Sequence, residues 1–314
     1  MNKILISSDH HANWEVLEHW FKYADKNKLP FLIPGDVVGD YNFELIIGAK
    51  KLYLPQNFDE QKAKPLQQIF EELVDYHAKK FASYIDKYKV KTYFLLGNHE
   101  PTYFNELVLK YLKNKELFTS LNSVKGIIDI NGFKIAAISN TNHLMYFLNH
   151  IYSQSKLNEM FSHMRTQRQV VMDFDPDKIN SLEDPKDDFD WKRLNASNIK
   201  ELDLFITHGQ IGRGAWRKEK YASEVPTLLS AAKLSLKSKL TIDAHLHTSH
   251  KMRNCLGKPT LRAVGNKALL LEKDSDGQIS FEDLETQIPY IPKKGIDPTE
   301  LGIKASKIDE LIFK

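Results

Sequence analysis

The sequence predicts an α/β fold that gathers a polar site at the carboxyl ends of its strands. Three observations carry that expectation. Short apolar or β-branched runs end in acid, amide or imidazole: residues 2–8 run into Asp9-His10-His11, residues 29–33 into Pro34-Gly35-Asp36, and residues 90–94 into Leu95-Leu96-Gly97-Asn98-His99-Glu100. Stretches with helical spacing of apolar residues follow these runs, which is the alternation of an α/β chain. Two later runs end the same way, 204–207 at His208 and 240–242 at Asp243-Ala244-His245-Leu246-His247. Open α/β sheets place their ligands at this end of the strands.

Each element follows from local pattern. After the first strand, Trp14, Leu17, Phe21 and Ala24 recur at helical spacing. From residue 58 to 88, Leu66, Ile69, Phe70, Leu73, Val74, His77 and Phe81 fall on one face, and His77 reads as a packed histidine of that stripe. Residues 103–111 read as a helix. Residues 123–129 and 132–139 read as strands joined at Asn131-Gly132, a hairpin signal. Residues 142–171 read as helical, and their His143, His150 and His163 match no compact ligand spacing. Residues 173–191 alternate acids and prolines without a period and read as a long loop. A helix over 191–202 feeds the strand before His208, and another covers 225–236. Residues 259–264 and 268–272 read as paired strands around Gly265-Asn266, with a further strand at 279–284 after the Asp276-Gly277 turn. Beyond residue 289 the pattern is irregular, with a short helix near 305–312.

Composition bounds the function. With 314 residues there is ample chain for a full core, and 42% hydrophobic with 27% charged residues is ordinary for a globular protein. The formal net charge of +3 is too small to argue for nucleic acid. The single cysteine, Cys255, excludes an internal disulfide and fits a reducing compartment. The apolar stretch after Lys3 is too short for a signal peptide, and no apolar run reaches membrane-spanning length, so a cytoplasmic protein without a membrane partner is expected. Charge is uneven: residues 171–203 carry 10 acids against 5 bases, and residues 208–273 carry 13 bases against 4 acids. The basic stretch is either a solvated face or a positive field around an anionic substrate.

Five strand ends therefore carry Asp9 and His11, Asp36, Asn98 and His99, His208, and His245 and His247. These are nitrogen and oxygen donors suited to manganese, iron, zinc or magnesium rather than to a thiolate site. Eight such side chains suit two octahedral ions that share one bridging carboxylate.

The run Asp9-x-His11, Gly35-Asp36, Gly97-Asn98-His99-Glu100, His208 and His245-x-His247 resembles the calcineurin-like metallophosphoesterase superfamily, in order and in spacing. Ala244 departs from it, standing where many members have glycine. The resemblance implies a four-layer αββα sandwich and two divalent ions, manganese favoured over iron, zinc, nickel or magnesium. Asp9, His11 and His247 would hold the first ion, Asn98, His208 and His245 the second, and Asp36 would bridge. His99 would act on the substrate, stabilising charge or protonating the leaving oxygen. Two ions about 3.5–4 Å apart lower the pKa of a bridging water and clamp phosphate oxygens for in-line attack. Glu100 either orients His99 or closes a turn.

The rim bears on the substrate. Protein Ser/Thr phosphatases of the superfamily follow their second motif with an arginine, whereas this chain reads Gly35-Asp36-Val37-Val38-Gly39-Asp40. After His208 come Arg213, Trp216 and Arg217, an aromatic among bases that suits phosphate binding with base stacking. His10 faces either the pocket mouth or the surface. A phosphodiester substrate is expected, either a nucleotide, a cyclic nucleotide or nucleic acid, with a phosphomonoester as the alternative. A catalytically silent scaffold would be expected to have lost ligands, and every motif position is filled. The expected organisation is a metallophosphoesterase domain over 1–284, with insertions about 42–88 and 142–190 forming a helical cap, and a C-terminal tail over 285–314.

Overall fold

In this computed structural model the described residues are 2–39, 60–97, 99–139, 176–186, 188–209, 228–245, 247, 249–255 and 258–292. Among them, twelve strands form two six-stranded sheets. The first holds β1 (Asn2–Ile6), β2 (Phe31–Ile33), β3 (Thr92–Phe94) and β4 (Phe118–Ser120), with β11 (Lys267–Lys273) and β12 (Ile279–Glu285) on the far side of β1. The second runs in the order β5 (Ile128–Ile130), β6 (Phe133–Ile138), β7 (Leu202–Thr207), β8 (Ser238–Ile242), β10 (Lys258–Arg262), β9 (His250–Cys255).

β1 to β4 are parallel, as are β6, β7, β8 and β10. Registers such as Leu5↔Phe31, Ile33↔Phe94 and Ile206↔Ile242 bring the carboxyl ends level. Asp9, Asp36 and His99 therefore leave one sheet where His208 and His245 leave the other. A bridge between Ser8 and Val264 ties the two sheets at that edge.

The layers follow from period-two alternation in strands buried on both faces. Leu5, Phe31 and Ile33 point outward, into a core shared with Leu17, Phe21, Phe81, Ile85 and Phe104. Those residues come from α1 (Trp14–Asn27), α2 (Glu60–Tyr88) and α3 (Phe104–Tyr111). Ile4, Ile6 and Leu32 point inward, against Phe133, Ile135, Leu204, Ile206 and Ile242 of the second sheet. On the other outer face, Ala136, Ile138, Leu202 and Phe205 meet Ile179, Trp191, Leu194, Leu229 and Ala232. These belong to α4 (Pro176–Ser181), α5 (Phe189–Leu194) and α6 (Leu228–Lys237). The result is the four-layer αββα sandwich.

Several expectations differ in detail. Asn131 (φ 50°) and Gly132 (φ 83°) do make the hairpin, but β5 starts only at Ile128, because the chain turns at Gly126 (φ 77°). The runs at 259–264 and 268–272 do not pair with each other. β10 belongs to the second sheet and β11 to the first, and Gly265 (φ 58°) carries the chain across, its carbonyl accepting from Trp20 Nε1. The expected loop 173–191 contains α4, which buries Ile179 in the outer core. β4 and the polar β9 (HKMRNC) carried no strand pattern strong enough to read. Residues 71–88 of α2 cover the first sheet as an outer-layer helix, while 142–171 and 305–312 lie outside the described residues.

His77 is wholly buried on α2 with its ring 5.5 Å from that of Trp14, and burial pushes its pKa down to about 3. A depressed imidazole pKa means the unfolded chain takes up the proton first. Its contribution is therefore present above pH 6.5 and is lost as pH falls toward 3. His77→Leu should flatten the acid side of the stability profile: between pH 6.5 and 5 the wild type loses about 2 kcal/mol more than the variant in chemical unfolding. Parallel profiles would mean that the ring is not held neutral by the fold.

Candidate metal centre

The ligand atoms converge on one oxygen. Asp36 Oδ2 lies 3.2 Å from His208 Nε2 and 3.6 Å from His11 Nε2. Asp9 Oδ1 lies 3.9 Å from His11 Nε2 and 3.8 Å from His247 Nε2, and the two imidazole nitrogens are 2.8 Å apart. Donors bound at about 2.1 Å to one ion sit ~3 Å apart at adjacent corners and ~4 Å apart at opposite ones. The described residues give two such groups, Asp9, His11, Asp36 and His247, and Asp36, His208 and His245, with Asp36 common to both. Asn98, the remaining expected ligand, lies outside the described residues.

The fit to cations is chemical as well as geometric. Among the described residues, Asp9 Oδ1 and Asp36 Oδ2 are buried and accept no hydrogen bond of ordinary geometry. An ionised oxygen in that state is costly unless a cation or a donor faces it. The other carboxylate oxygens are occupied. Asp9 Oδ2 accepts from Ser8 Oγ (2.6 Å) and from the backbone N–H of His245 (3.1 Å), and Asp36 Oδ1 accepts from the N–H of His99 (3.1 Å). His208 donates Nδ1–H to the Pro34 carbonyl at 2.5 Å, which turns Nε2 toward Asp36 as the nitrogen a cation would take. Protein charges already respond. Burial alone would raise Asp36, but His208, His99 and His11 hold it well below the usual carboxylate range. Burial leaves Asp9 above that range. Burial lowers His208, but Asp36, Asp9 and the Pro34 carbonyl together raise it to about 10, while burial and then His208 push His245 down to about 3.

The backbone carrying these groups is strained. Asp9 (φ 53°), His11 (45°), Ala12 (59°), Asp36 (55°), His245 (74°) and His247 (49°) all occupy the left-handed region. Such conformations cost non-glycine residues of the order of 1–3 kcal/mol each and persist where the surroundings over-determine them. Here they turn successive side chains sharply off the strand ends. Glycine is required where the loops touch: a Cβ on Gly97 would lie 2.0 Å from Asp36 Oδ1, and one on Gly35 would lie 2.5 Å from His208 Nδ1.

Glu100 neither bonds His99 through its carboxylate nor simply closes its own turn. It is fully buried and accepts three backbone N–H groups, from Asp36 (3.0 Å) and Gly97 (2.7 Å) at Oε2 and from Val38 (2.9 Å) at Oε1. It clamps the Asp36 turn to the β3 exit. Burial and the nearby Asp36 charge raise its pKa to about 7, against the pull of the Val38 and Gly97 N–H groups. His99 lies with its ring edge-on to His11 at 4.7 Å and its Nε2 4.0 Å from Asp36 Oδ2. His10 is completely buried, not at the surface, and burial lowers its pKa to about 3. Arg213, Trp216 and Arg217 lie outside the described residues.

Some supporting residues were missed by sequence reasoning. Arg262 is 1% exposed and forks onto Asp243, Nε to Oδ1 at 2.9 Å and a terminal nitrogen to Oδ2 at 2.6 Å, pinning the root of the His245 loop. An arginine within an apolar strand run was the available signal, since a buried charge needs a partner. The Ala244 N–H donates to the His208 carbonyl (3.2 Å). Ala244 is absent from the left-handed set, so alanine in place of glycine costs no backbone strain.

An α/β sandwich with an Asp/His cluster at its strand ends presents a candidate site for divalent metal. The calcineurin-like phosphoesterase family profile matches residues 2–269, and the chain belongs to that family. Membership implies a metal-dependent phosphoric ester hydrolase. No curated protein matched the sequence. One solved crystal structure superposes with a TM-score of 0.53 at 13% identity, over 90% of this chain and 98% of its own, which is a likeness of fold. TT1561 of Thermus thermophilus superposes more loosely, with a TM-score of 0.44 at 9% identity over 90% of this chain and 98% of its own. Among the described residues no helix is long and apolar enough to cross a membrane.

Gly97→Ala should displace the Asp36 carboxylate by contact alone. We expect the affinity for divalent manganese, followed by equilibrium dialysis, to fall at least roughly tenfold while the circular dichroism spectrum is retained. Unchanged affinity would contradict the contact geometry.

Proposed function

We propose that this protein hydrolyses phosphodiesters with two divalent ions, manganese favoured, bridged by Asp36. The observation that carries the binuclear reading is that Asp36 is common to both ligand groups, its Oδ2 lying 3.6 Å from His11 Nε2 and 3.2 Å from His208 Nε2. Asp9, His11 and His247 would hold one ion. Asn98, His208 and His245 would hold the other. When bound, such a pair supplies Lewis acidity and a nucleophile at neutral pH.

The protein's own residues supply the rest. Glu100 and the Asp36 turn fix the shared carboxylate. The Pro34 carbonyl fixes the His208 tautomer. His99, beside the ligand Asn98, holds a ring proton for the leaving oxygen, since imidazole suits general acid work near neutral pH. The positions after Asp36 argue against the protein phosphatase class, since the buried Val37 and Val38 stand there without that class's arginine. The diester preference is supported by the basic stretch 208–273, whose Arg213, Trp216 and Arg217 would bind phosphate and stack a base, whereas the buried His10 is not placed to touch substrate. Within the 1–284 domain, α2 residues 71–88 and α4 belong to the outer layers, so a cap that limits substrate size would come from the remaining parts of the segments about 42–88 and 142–190.

The test compares a bis-aryl phosphodiester with a mono-aryl phosphate in the presence of manganese. We expect turnover of the diester to exceed that of the monoester and to vanish on chelation. His99→Ala should lower kcat by about 10²–10⁴ without altering metal content. A monoester preference would overturn the substrate assignment, and turnover unaffected by His99→Ala would remove its role as acid.

A further inference from the structure

The Asp9 loop is held from outside. Asp9, His11 and Ala12 are left-handed, a run of three that is costly even though Asp and His tolerate that region better than alanine does. On one side their N–H groups donate to the carbonyls of Gly35 (3.1 Å), Asp36 (2.8 Å) and Val37 (2.8 Å). On the other side two groups hold them. Asn13, 4% exposed, makes no side-chain cap for α1. Its Nδ2 donates instead to the His10 carbonyl (2.6 Å) and to the Ile291 carbonyl (2.9 Å), and its Oδ1 accepts the Ile291 N–H (3.2 Å). Tyr290 donates its hydroxyl to the Asp9 carbonyl at 2.6 Å.

Both contacts come from the segment after β12, beyond the family-matched residues 2–269. That segment is itself anchored. The Thr286 N–H donates to the Asn266 carbonyl (2.9 Å), and Ile288 packs on the first outer core. The Tyr290 ring lies over Gly265, where a Cβ would meet it at 2.4 Å. Gly265 in turn donates its N–H to the Ser8 carbonyl (2.8 Å), one residue before Asp9. Tail, crossing glycine and metal loop thus form one closed ring of contacts.

We propose that Tyr290, with Ile291 and Asn13, is a clasp that holds the Asp9–Ala12 loop in its ligating conformation. Tyr290 is then a positioning residue for the Asp9, His11 and His247 ion and not for the His208 and His245 ion. The inference rests on the two-ion reading above and adds a dependence on the C-terminal segment.

The test is a manganese titration of the full chain, followed by calorimetry and by electron paramagnetic resonance. Asp9→Ala identifies the first position by its loss, and His245→Ala the second. Tyr290→Phe keeps the ring on Gly265 and removes only the hydroxyl. It should weaken the first position roughly tenfold and leave the second within about twofold, with the melting temperature of the metal-free protein lowered by no more than about 2–4 °C. Ile291→Pro, which deletes the N–H given to Asn13 at an exposed residue, should act in the same direction and serves if Tyr290→Phe does not fold. Equal weakening of both positions, or of neither, in a wild type that binds two ions would overturn the clasp alone. A wild type that binds no manganese would overturn the metal reading and the clasp with it.

Discussion

The site depends on the Asp36 carboxylate being held, ionised, at the seam between two sheets. Asp36 leaves β2 in a left-handed turn after Gly35, and its backbone N–H is gripped by Glu100 from the β3 exit. One oxygen is fixed by the His99 N–H and the other is left to the imidazoles. Buried charge without a partner is among the costlier arrangements in a protein interior. Here it is tolerated because four imidazoles and the expected cations surround two carboxylates. The two carboxylates are driven apart in acidity, with Asp36 below its usual range and Asp9 above.

Strain and rigidity are linked through the same loops. Six left-handed non-glycine residues at the strand ends are more than local sequence would choose. They survive because each loop is tied to a different, well-packed element: Asp9 to Tyr290, Asp36 to Glu100, His208 to Pro34, and the His245 loop to Asp9 and, through Asp243, to Arg262. The sandwich provides the rigidity for this. Its inner core, from Ile4 and Leu32 to Ile206 and Ile242, fixes the separation of the sheets and hence of the two donor groups. Small misplacements at such a centre are costly to function, because ligand atoms must meet within fractions of an ångström.

Much of this was legible in the sequence. Alternating apolar strands that end in Asp and His named the site edge, and the spacing from Asp9 to His247 named the family. Chemistry that depends on long-range contact was not legible. Glu100 looked like a partner of His99 because the two are adjacent, yet its carboxylate reaches across 64 positions to Asp36. Tyr290 lay in a stretch read as irregular tail, and no pattern ties it to Asp9, 281 residues away. The two strands around Gly265 looked like a hairpin because Gly-Asn is a turn signal, and only tertiary packing sends them to different sheets. Local pattern reports propensity and period, and loop-to-loop hydrogen bonds leave no such trace.

The central claim is that one Asp36 oxygen joins two cation positions. Anomalous diffraction from crystals grown with manganese tests it most directly. The account expects two peaks about 3.5–4 Å apart, flanking Asp36 Oδ2. One should be within bonding distance of Asp9, His11 and His247, and the other of His208 and His245. A single peak, or peaks that leave Asp36 uncoordinated, would contradict it.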